Sequence, residues 1–359
     1  EIKWGELPNG IRFYSQYDWS GTHLAGIGVK VGSIYASPGC VGLPHLVEHL
    51  LARESLKYAN EEAELIFEKF LGGPDDDINI RIDRVSTHYG FGDLFRGKDM
   101  LLCLDVMASF LRDRIITAES IQVEKAAVHN EYYLRGVDWM PGLLDDLIHE
   151  TSYECNPARL RIDCRVEDLK NMGRSRISRF IKKHYVSENT FLIVLGPKFE
   201  KVKDLAKEHL GDWKHQIRPQ LDYDHSDDLP ILSAVKSCEV TRNMGQYHLA
   251  VGFPTQGYNG KDIEAMEVLA RILAFRLRRH LRDGNRIFDR GVYRANAQVS
   301  KSFVHGLFYA DFATVSGEFA REAEGIILEE LQRLRTDFVS DRELDAMIYR
   351  SDNVYLNAF

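Results

Sequence analysis

The chain has 359 residues, 44% apolar and 28% charged, and its 46 Lys+Arg against 54 Asp+Glu give a net charge of −8. At roughly 150 residues per domain this suits two domains, each able to bury a core, and the composition excludes a disordered chain, a collagen or a disulfide-dense mini-protein. The acidic balance argues against a nucleic-acid binder, and no apolar run reaches the ~18 residues of a membrane span.

Asn9-Gly10, in LPNGIRF, reads as a turn feeding a short strand, and 23–33 as a central strand. Residues 41–54 run at helical period, with Pro44 tolerable only in the first turn. A second helix is expected at 60–71, ended by Gly72-Gly73-Pro74, then strands near 78–83 and 86–95. Helices follow at 97–112, 117–135, 141–150 and 167–184, then a buried strand at 191–196 and a helix at 199–210. Residues 216–231, polar and holding two prolines, read as a linker. Beyond it the order partly restarts: strand 246–254, helix 261–281, strands 292–299 and 303–314, helix 318–336, and a helix from Ser340. Strands gathered in hairpins and helices in runs predict an α+β fold of two related domains. Each is a mostly antiparallel sheet with helices packed on one face, spanning 1–215 and 232–359. Against the element order of the first domain, 232–359 is one or two elements short, so this domain is expected to be C-terminally incomplete.

Cys40, Cys103, Cys155, Cys164 and Cys238 are odd in number and show no CxxC spacing. That argues against a disulfide framework and for a reducing compartment, the cytoplasm first. The chain opens on Glu1 rather than Met, so an organellar matrix or a periplasm stays open after processing.

The sharpest local signal is His45-Leu-Val-Glu48-His49. At i and i+4 of a helix the two imidazoles share one face and can hold one Zn²⁺. Glu48 lies on the edge of that face and reaches a water beside the ion. This HxxEH is the inverse of HExxH. A catalytic zinc needs a third protein ligand and an open position. Glu54, nine residues after His45, falls on the opposite face. Glu124 and Glu131, seven apart on the helix at 117–135, share a face. One of them can ligate while the other hydrogen-bonds a ligating histidine.

HLVEHLLARES, with these two glutamates about eighty residues on, resembles the pitrilysin/insulinase (M16) family of zinc peptidases. The resemblance extends over LPNGIRF, VGS at 31–33 with Gly42, Gly72-Gly73 followed by Asn79, Thr87 and Tyr89, and HYVSENTFLIVLG at 184–196. It implies Glu131 as third zinc ligand, Glu124 as its supporting partner, and Glu48 as general base of a metalloendopeptidase acting on unfolded peptides within a chamber. It also implies that the strand carrying Asn79 and Ile80 binds substrate backbone by β-addition. Here the chain departs from the family pattern, with Ile80 for Ala and with Ile82 and Val85 at the Thr and Asp positions. An Arg/Tyr pair that steadies the substrate carbonyl in the family matches Arg286 and Tyr293 of LRDGNRIFDRGVY, with Arg282 competing. The chain supplies one half-chamber, so a homodimer or a heterodimer with a related subunit is implied. The alternative is a non-catalytic scaffold or partner subunit; such relatives usually lose part of HxxEH, which is whole here.

Overall fold

Gly10 has φ 83, a backbone region that tolerates glycine best, and Leu7 N donates to Ile11 O across the turn. The side chain of Asn9 donates to the carbonyls of Leu210 and Trp213 and ties the turn to a distant part of the chain. The turn joins β1 (Ile2–Glu6) to β2 (Arg12–Tyr17); β1 is a strand beyond those expected from residue order. The computed structural model describes the chain except residues 20–22, 38, 72–77, 92–96, 139, 154–156, 165, 220–233, 242–244, 258–259, 283–291, 301–304 and 358–359. By contact it divides into two units, Glu1–Tyr132 with Leu160–Asp224, and Tyr133–Arg159 with His225–Phe359.

The first unit is built on a six-stranded sheet in the order β1-β2-β6-β3-β5-β4. Its other strands are β3 (Leu24–Val29), β4 (Ile78–Ile82), β5 (Thr87–Phe91) and β6 (Thr190–Gly196). All pairs are antiparallel except β2 with β6. β6 inserts between β2 and β3, which carries the chain's late strand back into the sheet built by its start. Strand alternation turns Phe13, Ala25, Ile27, Val29, Tyr89, Leu192 and Val194 to one core. The helices are α1 (Leu43–Leu51), α2 (Asn60–Leu71), α3 (Gly97–Arg112), α4 (Ala118–Asp138), α6 (Val166–Leu169), α7 (Arg174–His184) and α8 (Phe199–Leu210), with α5 (Met140–Ser152) between α4 and α6. α3 packs on β3, α8 on β2 and α1 on β4. The single helix expected over 167–184 is two, because the chain turns at Asn171–Gly173 before α7 starts.

The second unit holds a three-stranded antiparallel sheet in the order β7-β9-β8: β7 (Tyr247–Gln256), β8 (Val292–Ser300) and β9 (His305–Thr314). Phe308, Ala310 and Phe312 pack with α9 (Ile263–Leu277) and α10 (Gly317–Thr336). On the opposite face of β9, Leu307 and Tyr309 cluster with Ile148 of α5, Tyr153 and Ala158, and Tyr153 Oη donates to Gly306 O at 2.8 Å. α5 thus belongs to this sheet although it precedes β6 in the chain. α11 (Asp341–Asn357) follows Ser340, whose hydroxyl accepts from Glu343 N. The fold is the expected α+β class. Among the described residues no helix is long and apolar enough to cross a membrane.

Candidate metal centre

α1 begins at Gly42, held at φ 83 and ψ 3, with Pro44 in its first turn where the missing N–H costs nothing. Leu43, Leu46, Val47, Leu50 and Leu51 fill the core. The remaining stripe is His45, Glu48 and His49. It is withdrawn from water too: the side chains of His45 and Glu48 are 2% and 7% exposed. Burying three ionisable groups on one helix costs free energy unless partners satisfy them.

Those partners come from α4. Its start is fixed by reciprocal hydrogen bonds between Thr117 and Ser120, each hydroxyl accepting the other's backbone N–H at 3.0 Å. Seven residues separate Glu124 from Glu131, so both face α1. Glu131 Oε2 lies 3.4 Å from His45 Nε2, and its Oε1 lies 3.2 Å from His49 Nε2. Glu124 Oε2 meets His49 Nδ1 at 3.1 Å, and its other oxygen takes an ion pair from Arg53. Glu48 Oε2 stands 3.8 Å from His45 Nε2, at the edge of the group.

The charges couple strongly. Burial by itself lowers the pKa of His49, but the hydrogen bonds it donates to Glu124 and Glu131 carry it up to about 10. Burial would raise Glu131, yet the two histidines hold it well below the usual carboxylate range. Glu124 is likewise lowered, by His49 and Arg53 against burial. A metal binding here would displace the proton that His49 holds.

His45, His49 and Glu131 each offer one ligand atom, all within 4.8 Å of one another, and they form the one such group among the described residues. Donors ~2.0–2.1 Å from a tetrahedral Zn²⁺ stand roughly 3.4 Å apart, and each Nε2 meets one Glu131 oxygen at about that distance, His45 at Oε2 (3.4 Å) and His49 at Oε1 (3.2 Å). Two imidazoles and a carboxylate are also a donor set that leaves zinc an open coordination position. The residues fit the ion.

Asn79 and Ile80 lie on β4, at the sheet edge, opposite Gly90 and Tyr89. Ile80 packs partly against the first core. Tyr293 is on β8 of the second unit and is 60% exposed. Arg286 lies outside the described residues, and Arg282 closes a π turn after α9. Two residues near the centre had no sequence signal that singled them out. Arg53 is one of many arginines in the chain. Asp163, 3.9 Å from His45 Nδ1, stands in an irregular stretch far from α1 in sequence.

Residues 13–165 match the family model described as Insulinase (Peptidase family M16), and residues 171–349 the one described as Peptidase M16 inactive domain. Mitochondrial-processing peptidase subunit alpha of Homo sapiens is 24% identical over 213 residues, covering 58% of this chain and 39% of its own length. Cytochrome b-c1 complex subunit 1, mitochondrial, of Bos taurus is 21% identical over 279 residues, or 76% of this chain and 55% of its own. The chain spans about half the length, or less, of the first curated relatives it matches. The crystal structure of a protease from Helicobacter pylori covers 100% of this chain and 86% of that one at a TM-score of 0.84 and 19% identity, a likeness of fold.

Proposed function

Because the chain belongs to the insulinase (M16) peptidase family, we propose that it is a zinc metalloendopeptidase whose ion is held by His45, His49 and Glu131. One observation carries the reading: two histidines of α1 aim Nε2 at the two oxygens of a single glutamate from a distant helix, α4. Zinc bound there supplies a Lewis acid that polarises a scissile carbonyl and acidifies a water. Glu48 takes a proton from the attacking water and returns it to the leaving amine. Its place at the rim of the ligand group and its burial suit a base that does not ligate. Glu124 fixes the ring of His49 and is itself fixed by Arg53.

Substrate is proposed to be an unfolded peptide that adds to the edge of β4 at Asn79 and Ile80, beside α1. Arg286 and Tyr293 of a second copy of the chain would steady the oxyanion of that peptide. The full enzyme would be a chamber of two halves, as a homodimer or with a related subunit; relatives described as subunits support this. Buried thiols at Cys40 and Cys164 and an exposed one at Cys238 support a reducing compartment, the cytoplasm or an organelle matrix.

A different reading, a non-catalytic partner subunit, draws on the cytochrome b-c1 relatives. Zinc analysis of the purified protein together with a quenched-peptide assay separates the two. About one zinc per chain with hydrolysis supports the peptidase; a zinc-free, inactive protein supports the subunit.

A further inference from the structure

Both histidines turn Nε2 toward Glu131, so the other nitrogen of each ring faces away from the ion position. An imidazole that gives Nε2 to a metal keeps its proton on Nδ1, and that N–H needs an acceptor when it is buried. His49 has one: its Nδ1 lies 3.1 Å from Glu124 Oε2. His45 Nδ1 is buried and makes no hydrogen bond, in a side chain only 2% exposed. The carboxylate before it is Asp163, with Oδ1 at 3.9 Å.

The stretch that bears Asp163 is pinned on both sides. On one, Leu160 O accepts from Ser33 Oγ at 3.1 Å and from Arg84 Nη1 at 2.8 Å. On the other, Cys164 sits against the start of α1. A Cβ at Gly42 would lie 2.5 Å from Cys164 Cα, and Cys164 Sγ lies 3.5 Å from Val41 O as its donor. Gly42 is therefore glycine for two reasons, its positive φ and this close approach. Between the two pins the backbone of residue 163 is set relative to the first turn of α1, where His45 stands. A hydrogen bond needs a separation of ~2.7–3.2 Å, and turning the short Asp side chain moves its oxygens by roughly the missing ångström.

We propose that Asp163 is the positioning residue for His45: its carboxylate accepts the Nδ1–H when zinc is bound, as Glu124 does for His49. The inference rests on the zinc reading above. It makes the ligand pair symmetric, each imidazole oriented by a carboxylate from outside α1. Glu124 comes from a regular helix seven residues before the third ligand. Asp163 comes from the loop that Cys164 anchors. Losing such an outer carboxylate typically weakens metal binding 10–100-fold.

The test is zinc affinity, measured by competition with a chelating dye on the whole chain, for the parent, Asp163→Ala and Asp163→Asn. Asp163→Ala is expected to bind zinc about 10–100-fold more weakly. Asp163→Asn, whose amide oxygen still accepts, is expected to fall between Ala and the parent. Melting of the chelated proteins checks that the loop is intact. Should the alanine variant fail to fold, ¹⁵N-histidine spectra of the zinc-loaded parent decide instead. A protected Nδ1–H on His45 that shifts in Asp163→Asn supports the assignment, and an Nδ1–H unchanged by that substitution overturns it. Equal zinc affinity in the parent and Asp163→Ala also overturns it, as does equal loss in both variants accompanied by lowered melting. If the parent itself binds no zinc, the reading of the centre fails rather than the role of Asp163.

Discussion

Gly42→Ala tests how tightly the start of α1 is fixed. Alanine at φ 83 takes on a left-handed backbone cost of about 1–2 kcal/mol. Its Cβ would also stand 2.5 Å from Cys164 Cα, 2.5 Å from its Sγ and 2.8 Å from its Cβ, where ordinary contacts begin near 3.4 Å. Two of these three atoms cannot swing away, so the loop at 163–164 must shift, an overpacking cost of about 1–3 kcal/mol. The total of about 2–5 kcal/mol corresponds to a melting temperature lower by roughly 5–15 °C for a unit of this size. Differential scanning calorimetry of the chelated protein measures it. Cys164→Ala in the same chain removes only the Sγ contact and is expected to restore less than half of the loss. A Gly42→Ala protein that melts within about 1 °C of the parent would refute the packing argument. It would also loosen the anchoring of Asp163.

Glu131→Gln is expected to strip zinc at micromolar chelator, while Glu124→Gln should weaken binding about 10–100-fold and keep the site; elemental analysis after dialysis distinguishes the two. His184 is lowered to about 4, first by burial and then by Lys183, with its ring packed against Tyr35 and Phe180. The unfolded chain therefore takes up this proton between pH 6.5 and 4 while the folded chain does not, and stability falls as pH falls through that window, by up to about 3 kcal/mol. His184→Phe should flatten the acid limb of a urea-midpoint profile, and an unchanged limb would assign it to another group. Mixing Glu48→Gln chains with Tyr293→Phe chains should restore partial hydrolysis if sites form across subunits, and no recovery would argue for a heterodimer.

The parts legible from residue order were those governed by local periodicity. α1, α3, α8 and β6 lie where apolar spacing puts them, and HxxEH with two glutamates seven apart named the group that the fold gathers. β1 escaped because Ile2, Trp4 and Glu6 face outward on an edge strand with little apolar alternation. The break before α7 escaped because Asn171–Gly173 is a short turn between two helical stretches. Periodicity marks the apolar face of α5 but not the sheet that receives it, and that sheet is β7–β9. Arg53 and Asp163 matter only through neighbours distant in sequence, and single acidic or basic residues carry no pattern.

In the proposed mechanism Glu48 works on the water and not on the metal. Glu48→Gln keeps the shape of the side chain and removes its basicity. The variant is expected to hold one zinc per chain, as in the parent, with quenched-peptide hydrolysis reduced by at least ~10²–10⁴-fold. Near-parental hydrolysis in this variant would rule out Glu48 as the base, and loss of the zinc would make it a ligand.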